Sequence, residues 1–236
     1  MKETFIETAN YIKLSESFAR LMNLPTTAPK IGLGYGNFGL GKTFALERIT
    51  AKYNAILLRA TQTWTKKSML EYMCLELGAD VSGGSSRMYA RVIEELRSVK
   101  RPIIIDELDT LLRSQKIEVA ELLRDIHDET GVILYLIGME EAKAKIKRLR
   151  HYYSRIVEFV EFKKIDVEDI EKFCELSDKV KIEKELVEYF ATSYPNLRQI
   201  RVLLINLENI ATRQGIKSCD LKTFKTLRVE KVGQGE

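Results

Sequence analysis

Short runs of consecutive apolar residues alternate with segments of helical period over the first two thirds of the chain. Residues 30–34, 55–60, 103–105, 132–137 and 156–162 read as strands. They are apolar nearly throughout rather than alternating, which is the pattern of strands covered on both faces of a parallel sheet. Between them lie helical stretches: a helix running to Ala51, then residues 68–77 stopped by Gly78, then residues 86–99 with Met88, Val92, Ile93 and Leu96 on one face. Residues 118–128 form the next, ended by Gly131, and residues 140–149 a basic one. Before the first strand, residues 1–24 read as a polar arm with a short helix at 15–22, followed by a turn between Pro25 and Pro29. After about residue 163 the pattern changes. Residues 166–177, 182–193 and 196–213 read as helices, and no strand is evident. The expected organisation is an N-terminal arm (1–24), an α/β core with a five-stranded parallel sheet (25–163), and a small all-α lid with a C-terminal tail (164–236).

Composition narrows the class. Of 236 residues, 45% are hydrophobic and 31% charged, which supports a buried core and excludes wholesale disorder. No run approaches the roughly 20 apolar residues of a membrane helix, and the polar, mixed-charge start lacks the apolar core of a signal peptide. A cytoplasmic protein with no membrane partner is expected. Cys74, Cys174 and Cys219 are odd in number and far apart, and His127 and His151 stand alone. Neither a disulfide framework nor a zinc site fits that spacing. The net charge of +4 is compatible with a nucleic-acid partner without requiring one.

One segment carries specific chemistry. Gly36-Asn37-Phe38-Gly39-Leu40-Gly41-Lys42-Thr43 matches GxxxxGK[ST] in full, follows a predicted strand and, through Phe44, opens a predicted helix. Its glycines let backbone N–H groups wrap phosphates, and the helix N-terminus adds favourable partial charge. Lys42 would neutralise the β- and γ-phosphates of ATP, and the Thr43 hydroxyl would ligate Mg²⁺. Three buried aliphatics then end in Asp106 and Glu107. Asp106 is placed to complete the Mg²⁺ shell, and Glu107 to orient and polarise the attacking water.

Together these residues resemble the AAA+ ATPases, a P-loop α/β core followed by a helical lid. Within that class the chain is similar to the DNA-transposition regulators, the Mu-type phage transposition protein B and the Tn7-type target-selection ATPase. Three stretches carry the narrower resemblance: Thr61 to Leu70 with Trp64-Thr65-Lys66-Lys67, Leu123 to Gly131, and Ile137-Gly138-Met139. The resemblance implies an arginine finger at Arg155, with Arg148 and Arg150 as alternatives, that reaches a neighbouring chain's ATP. It also implies a γ-phosphate sensor at Arg198 in Pro195-Asn196-Leu197-Arg198, with Arg201 as the spare. One departure stands out. The end of the fourth strand offers Gly138-Met139 where a polar sensor is usual, so water positioning is expected to be weak and hydrolysis slow.

The resemblance further implies duplex DNA as partner. Lys66 and Lys67, at a predicted loop-to-helix junction, and Arg87, after a Gly-Ser-rich loop, are the expected contacts to the phosphate backbone. The five cations Lys143, Lys145, Lys147, Arg148 and Arg150 could serve DNA, a neighbour or plain solvation. Only 35 residues precede Gly36, so sequence-specific readout is not expected. A head-to-tail interface completed by the arginine finger implies a homo-oligomeric ring or filament on DNA. There it would deliver target DNA to a transposase and activate it. A helicase-loader or origin-recognition-like AAA+ ATPase, or a P-loop signalling ATPase acting on protein, is the alternative.

Overall fold

The computed structural model describes residues 4–113, 116–194 and 196–231. Its elements in chain order begin with α1 (Ala9–Asn23), β1 (Ile31–Tyr35), α2 (Lys42–Tyr53), β2 (Ile56–Arg59), α3 (Lys66–Leu77) and α4 (Ser85–Val99). Next come β3 (Ile103–Asp106), α5 (Leu108–Leu111), α6 (Ile117–Thr130), β4 (Leu134–Gly138), α7 (Ala142–Lys147), α8 (Arg150–Tyr153) and β5 (Ile156–Glu161). The remainder is α9 (Val167–Cys174), β6 (Lys181–Ile182), α10 (Lys184–Ser193), α11 (Leu197–Gln214), β7 (Ser218–Cys219), α12 (Leu221–Thr226) and a final 3₁₀ turn, Val229–Lys231.

The chain divides into two compact units. A sheet unit holds residues 13–37 and 42–162, and a helical unit holds residues 1–12, 38–41 and 163–236. In the sheet unit, five parallel strands take the order β2-β3-β4-β1-β5. β1 therefore lies inside the sheet and delivers the chain to the glycine-rich loop at the strands' C-terminal edge. Its glycines make room. A Cβ on Gly32 would sit 2.5 Å from the Tyr135 ring, and one on Gly34 would sit 2.6 Å from Ile137. The fully buried Tyr135 ring lies over Gly32, stacks on Phe18 of α1 and exchanges a 2.8 Å hydrogen bond with Ser17. On the other face Met69, Met73, Met88, Val92, Leu96 and Leu123 of α3, α4 and α6 form the larger part of the core.

The helical unit builds its own small core around Phe190 and Phe224, whose rings meet edge to face at 5.3 Å. Tyr189 and Tyr194 both donate to the Glu230 carboxylate, which fastens the C-terminal turn to α10.

The structure differs from the sequence reading in local ways, each with a physical cause. α1 begins at Ala9, not near Ser15, because a distant residue serves its first turn: both carboxylate oxygens of Asp169 accept the Ala9 N–H, at 2.9 and 3.2 Å. The basic helix is two short pieces, α7 and α8, interrupted at Leu149, whose backbone is not helical. The C-terminal segment is not purely helical, since β6 and β7 pair in parallel over two residues each. Residues after Arg213, read as a tail, include α12, whose N-cap Asp220 accepts the Thr223 N–H at 2.7 Å.

His127, buried in α6, shows how this packing senses pH. Its Nδ1–H donates to the Val132 carbonyl at 2.7 Å, and its Nε2 accepts from the Lys30 N–H at 3.5 Å. Burial holds its pKa below the ordinary histidine value; the Val132 bond and Asp128 oppose this, and Arg155 and Lys30 add to it. The unfolded chain thus takes up a proton that the folded chain refuses, so stability is full above the ordinary value and declines as pH falls through it. The urea midpoint is expected to drop between pH 7.5 and pH 5.5, and His127→Gln to flatten that dependence. An unchanged slope in the variant would show that other groups cause it.

Candidate nucleotide-binding site

The glycine-rich loop runs from the end of β1 into α2. Gly36 must lack a side chain, because a Cβ there would stand 2.6 Å from the Phe162 carbonyl oxygen. Gly39 (φ 77°) and Gly41 (φ 84°) are left-handed, where other residues are strained. Asn37 and the Phe38 ring are exposed, Leu40 is buried, and Thr43 and Phe44 lie in the first turn of α2. The Lys42 ammonium folds back over the loop it serves. It donates to the Gly36 carbonyl and, at 2.8 Å, to the Asn37 carbonyl, with Met139 Sδ at 3.8 Å. Burial lowers its pKa, while Asp106, Glu107 and Asp109 pull in the opposite direction. A half-buried cation near three carboxylates is suited to exchange its carbonyl partners for phosphate oxygens.

The carboxylates come from the end of β3 and the turn that follows it, with β4 between β3 and β1 in the sheet. Asp106 ends β3 and is buried; Oδ1 accepts the Glu107 N–H at 2.9 Å, and Oδ2 lies 3.4 Å from Arg59 Nη2. Arg59 ends β2 directly opposite Asp106 in the sheet register. Glu107 is left-handed (φ 60°, ψ 40°) and turns the chain into α5 with its side chain exposed. Holding a non-glycine residue there costs about 1–2 kcal/mol, and such strain concentrates at functional sites. Two residues on, Asp109 accepts the Met139 N–H and pairs with Lys145 at 2.9 Å. A carboxylate from α5 thus fastens the end of β4, where a polar β4 side chain is missing.

Thr43 and Asp106 offer a hydroxyl and a carboxylate, the hard oxygen donors that Mg²⁺ prefers. Among the described residues no group of three or more His, Cys, Asp or Glu could hold a metal ion. The donor set therefore fits an ion that takes its remaining ligands from phosphate and water, not one held by a protein cage.

The other expected residues lie elsewhere. Arg155 precedes β5 and sits beside the start of β1, at the opposite edge of the sheet from the phosphate loop of its own chain. Its guanidinium is held by Asp128 at 3.2 Å and by the His151 carbonyl at 2.8 Å. Arg148 and Arg150 are exposed and make no ion pair among the described residues. Arg198 is exposed on the first turn of α11, just after Leu197, whose N–H bonds the Gly39 carbonyl at 2.9 Å. Pro195 lies outside the described residues.

Lys66 and Lys67 open α3 behind a capping box between Thr65 and Ser68, near the sheet's C-terminal edge. They form exposed pairs with Glu118 at 2.9 Å and Glu71 at 3.6 Å. Arg87 lies in the first turn of α4, beyond the C-terminal end of α3, so the structure does not gather it with the two lysines. Sequence reasoning missed Asn10, Arg59 and Asp109. Asp109 carries a signal in its spacing from Glu107, whereas Asn10 carries none, since only tertiary packing brings it to the loop.

A family model described as AAA domain matches residues 26–146, just over half of the chain. The chain belongs to the AAA domain family. Solved structures resemble 92–100% of this AAA protein in fold. The ORC2 protein of Aeropyrum pernix, in ADPNP–ADP complexes, gives a TM-score of 0.72 at 16% identity, covering 100% of this chain and 72% of its own. The ORC1 protein of the same organism, in complex with DNA, gives 0.61 at 18% identity, with coverages of 95% and 66%. Cdc6p from Pyrobaculum aerophilum gives 0.66 at 13% identity, with coverages of 92% and 66%. The AAA protein thus spans 66–72% of these chains, and at such identities the likeness is one of fold. No curated protein matches. The resemblance to transposition regulators gains no support from these relatives, which are origin-recognition and Cdc6 proteins.

The loop geometry has a direct consequence. A Cβ on Gly39 would fall 2.0 Å from Asn196 Cβ, at a φ that disfavours any side chain. Gly39→Ala is expected to lower Tm by several degrees and to remove the stabilisation that magnesium and ATP give the parent in thermal melts. A variant stabilised by ATP as strongly as the parent would show that the loop has other usable conformations.

Proposed function

We propose that this AAA protein is an ATP hydrolase that binds duplex DNA in an ATP-dependent way, of the origin-recognition or helicase-loading kind. The observation that carries the reading is the meeting of Lys42, Asp106 and Glu107 at one edge of the sheet. Lys42 takes the β- and γ-phosphates, with Arg198 as the sensing arginine of the lid helix. Thr43 and Asp106 would hold Mg²⁺, which would supply neutralisation of the charge developing on the phosphates. Glu107, exposed on its strained turn, orients the water. Fold likeness to an ORC1 protein solved with DNA supports the nucleic-acid partner. So does the placing of Lys66 and Lys67 in the first turn of α3, which has no acidic residue. The helix dipole disfavours cations there, and a phosphate backbone would replace Glu118 and Glu71, their exposed partners in weak surface pairs.

Arg155 lies at the edge of the sheet away from its own phosphate loop, which supports action of an arginine of this segment on a neighbouring chain. That arrangement makes a head-to-tail homo-oligomer on DNA. Arg155 is tied to Asp128, so Arg148 and Arg150 are the more readily available guanidinium groups. Regulation of DNA transposition with a transposase partner is the second reading, favoured by the Trp64-Thr65-Lys66-Lys67 stretch and its helix-opening placement.

Filter binding of duplex DNA with ATP, ADP and no nucleotide tests the proposal. Retention is expected with ATP alone and is expected to vanish in Lys42→Ala. Glu107→Gln is expected to retain DNA while losing hydrolysis; hydrolysis at the parent rate would remove Glu107 from the mechanism. Lys66→Ala and Lys67→Ala should each lower the log–log salt slope by about 1. A slope unchanged in both would place the DNA elsewhere. Capture of a replicative helicase or of a transposase separates the two readings.

A further inference from the structure

The phosphate-loop reading leaves open what holds the loop in its binding shape. A trans peptide is planar, so the carbonyl of one residue and the N–H of the next point in opposite directions. Turning N–H groups toward a phosphate therefore turns the preceding carbonyls into the protein, where each needs a donor. Two such carbonyls are accounted for within the helical unit. The Gly39 carbonyl accepts the Leu197 N–H at 2.9 Å, and the Leu40 carbonyl accepts Asn10 Nδ2 at 3.2 Å. The first bond fixes the direction of the Leu40 N–H, and the second that of the Gly41 N–H. Gly41 N–H itself has no acceptor in the chain among the described residues.

Asn10 is built for this task. It is buried on the first turn of α1, and its amide is used on both sides. Nδ2 also donates to the Lys163 carbonyl at 2.8 Å, and Oδ1 accepts the Lys163 N–H at 3.0 Å. The two bonds to Lys163 fix the amide plane and thereby aim the remaining N–H at Leu40. An aspartate could keep the acceptor role toward Lys163 N–H but could not donate to either carbonyl.

We infer that Asn10 is a positioning residue for triphosphate binding, which orients the Gly41 N–H by holding the Leu40 carbonyl. This rests on the phosphate-loop reading. A control lies one residue away: Asp169 anchors the same helix end through the Ala9 N–H without touching the loop.

The test measures affinity for a fluorescent ATP analogue with magnesium, and Tm, in the full chain and in Asn10→Ala, Asn10→Asp, Asp169→Ala and Lys42→Ala. Asn10→Ala and Asn10→Asp are expected to bind the nucleotide about tenfold more weakly, the loss of one buried hydrogen bond. Asp169→Ala is expected to lose Tm yet bind like the parent. Should Asn10→Ala fail to fold, Asn10→Asp carries the comparison. Parent-like affinity in Asn10→Asp, or equal affinity losses in the Asn10 and Asp169 variants, would reduce Asn10 to a structural role and overturn the inference. Failure of the phosphate-loop reading looks different: the parent would then bind no better than Lys42→Ala.

Discussion

The arrangement depends on one constraint of peptide geometry. A loop that offers its N–H groups to an anion must bury the carbonyls on its other side, and every buried carbonyl must be hydrogen-bonded. The AAA protein meets this with glycines, which supply the left-handed turns at Gly39 and Gly41. Donors from sequence-distant residues, Asn10 and Leu197, take the carbonyls. Lys42 holds two further loop carbonyls with the charge that a phosphate would claim. Asn10 and Leu197 thus set part of the loop's shape without themselves having to bind nucleotide.

The sheet supplies the other half of the chemistry by register alone. Pairing Arg59 with Asp106 and Ile105 with Leu136 brings the ends of β2, β3 and β4 to one edge. The catalytic candidates sit where the pairing stops, on backbone no longer committed to the sheet ladder. Glu107 is left-handed there, and the next residues form a short turn of helix whose Asp109 fastens the end of β4. A local cost in backbone energy thus places one carboxylate outward and another inward within three residues.

What the sequence showed and what it hid divide along the range of the interactions. Five apolar runs and a complete GxxxxGK[ST] motif are local signals, and the parallel five-stranded sheet of the AAA family follows from them. The start of α1 was hidden because its first N–H is satisfied by Asp169, 160 residues away. Asn10 was hidden for the same reason, having no motif and deriving its role from Leu40 and Lys163. The break between α7 and α8 and the β6–β7 pair were hidden because two-residue strands and single non-helical residues leave no periodic trace. The narrower resemblance to transposition regulators rested on three short stretches and is not confirmed by the solved structures, ORC and Cdc6 proteins that share the fold at 13–18% identity.

The central claim is that the loop from Gly36 to Thr43 is shaped for a triphosphate before one arrives. Titration calorimetry of the folded chain with ATP and magnesium tests it most directly. The account predicts saturable binding of one nucleotide per chain, with an entropy cost too small for the ordering of a disordered loop. A chain that melts cooperatively yet gives no binding heat at any temperature, and no displacement of a labelled nucleotide, would contradict it.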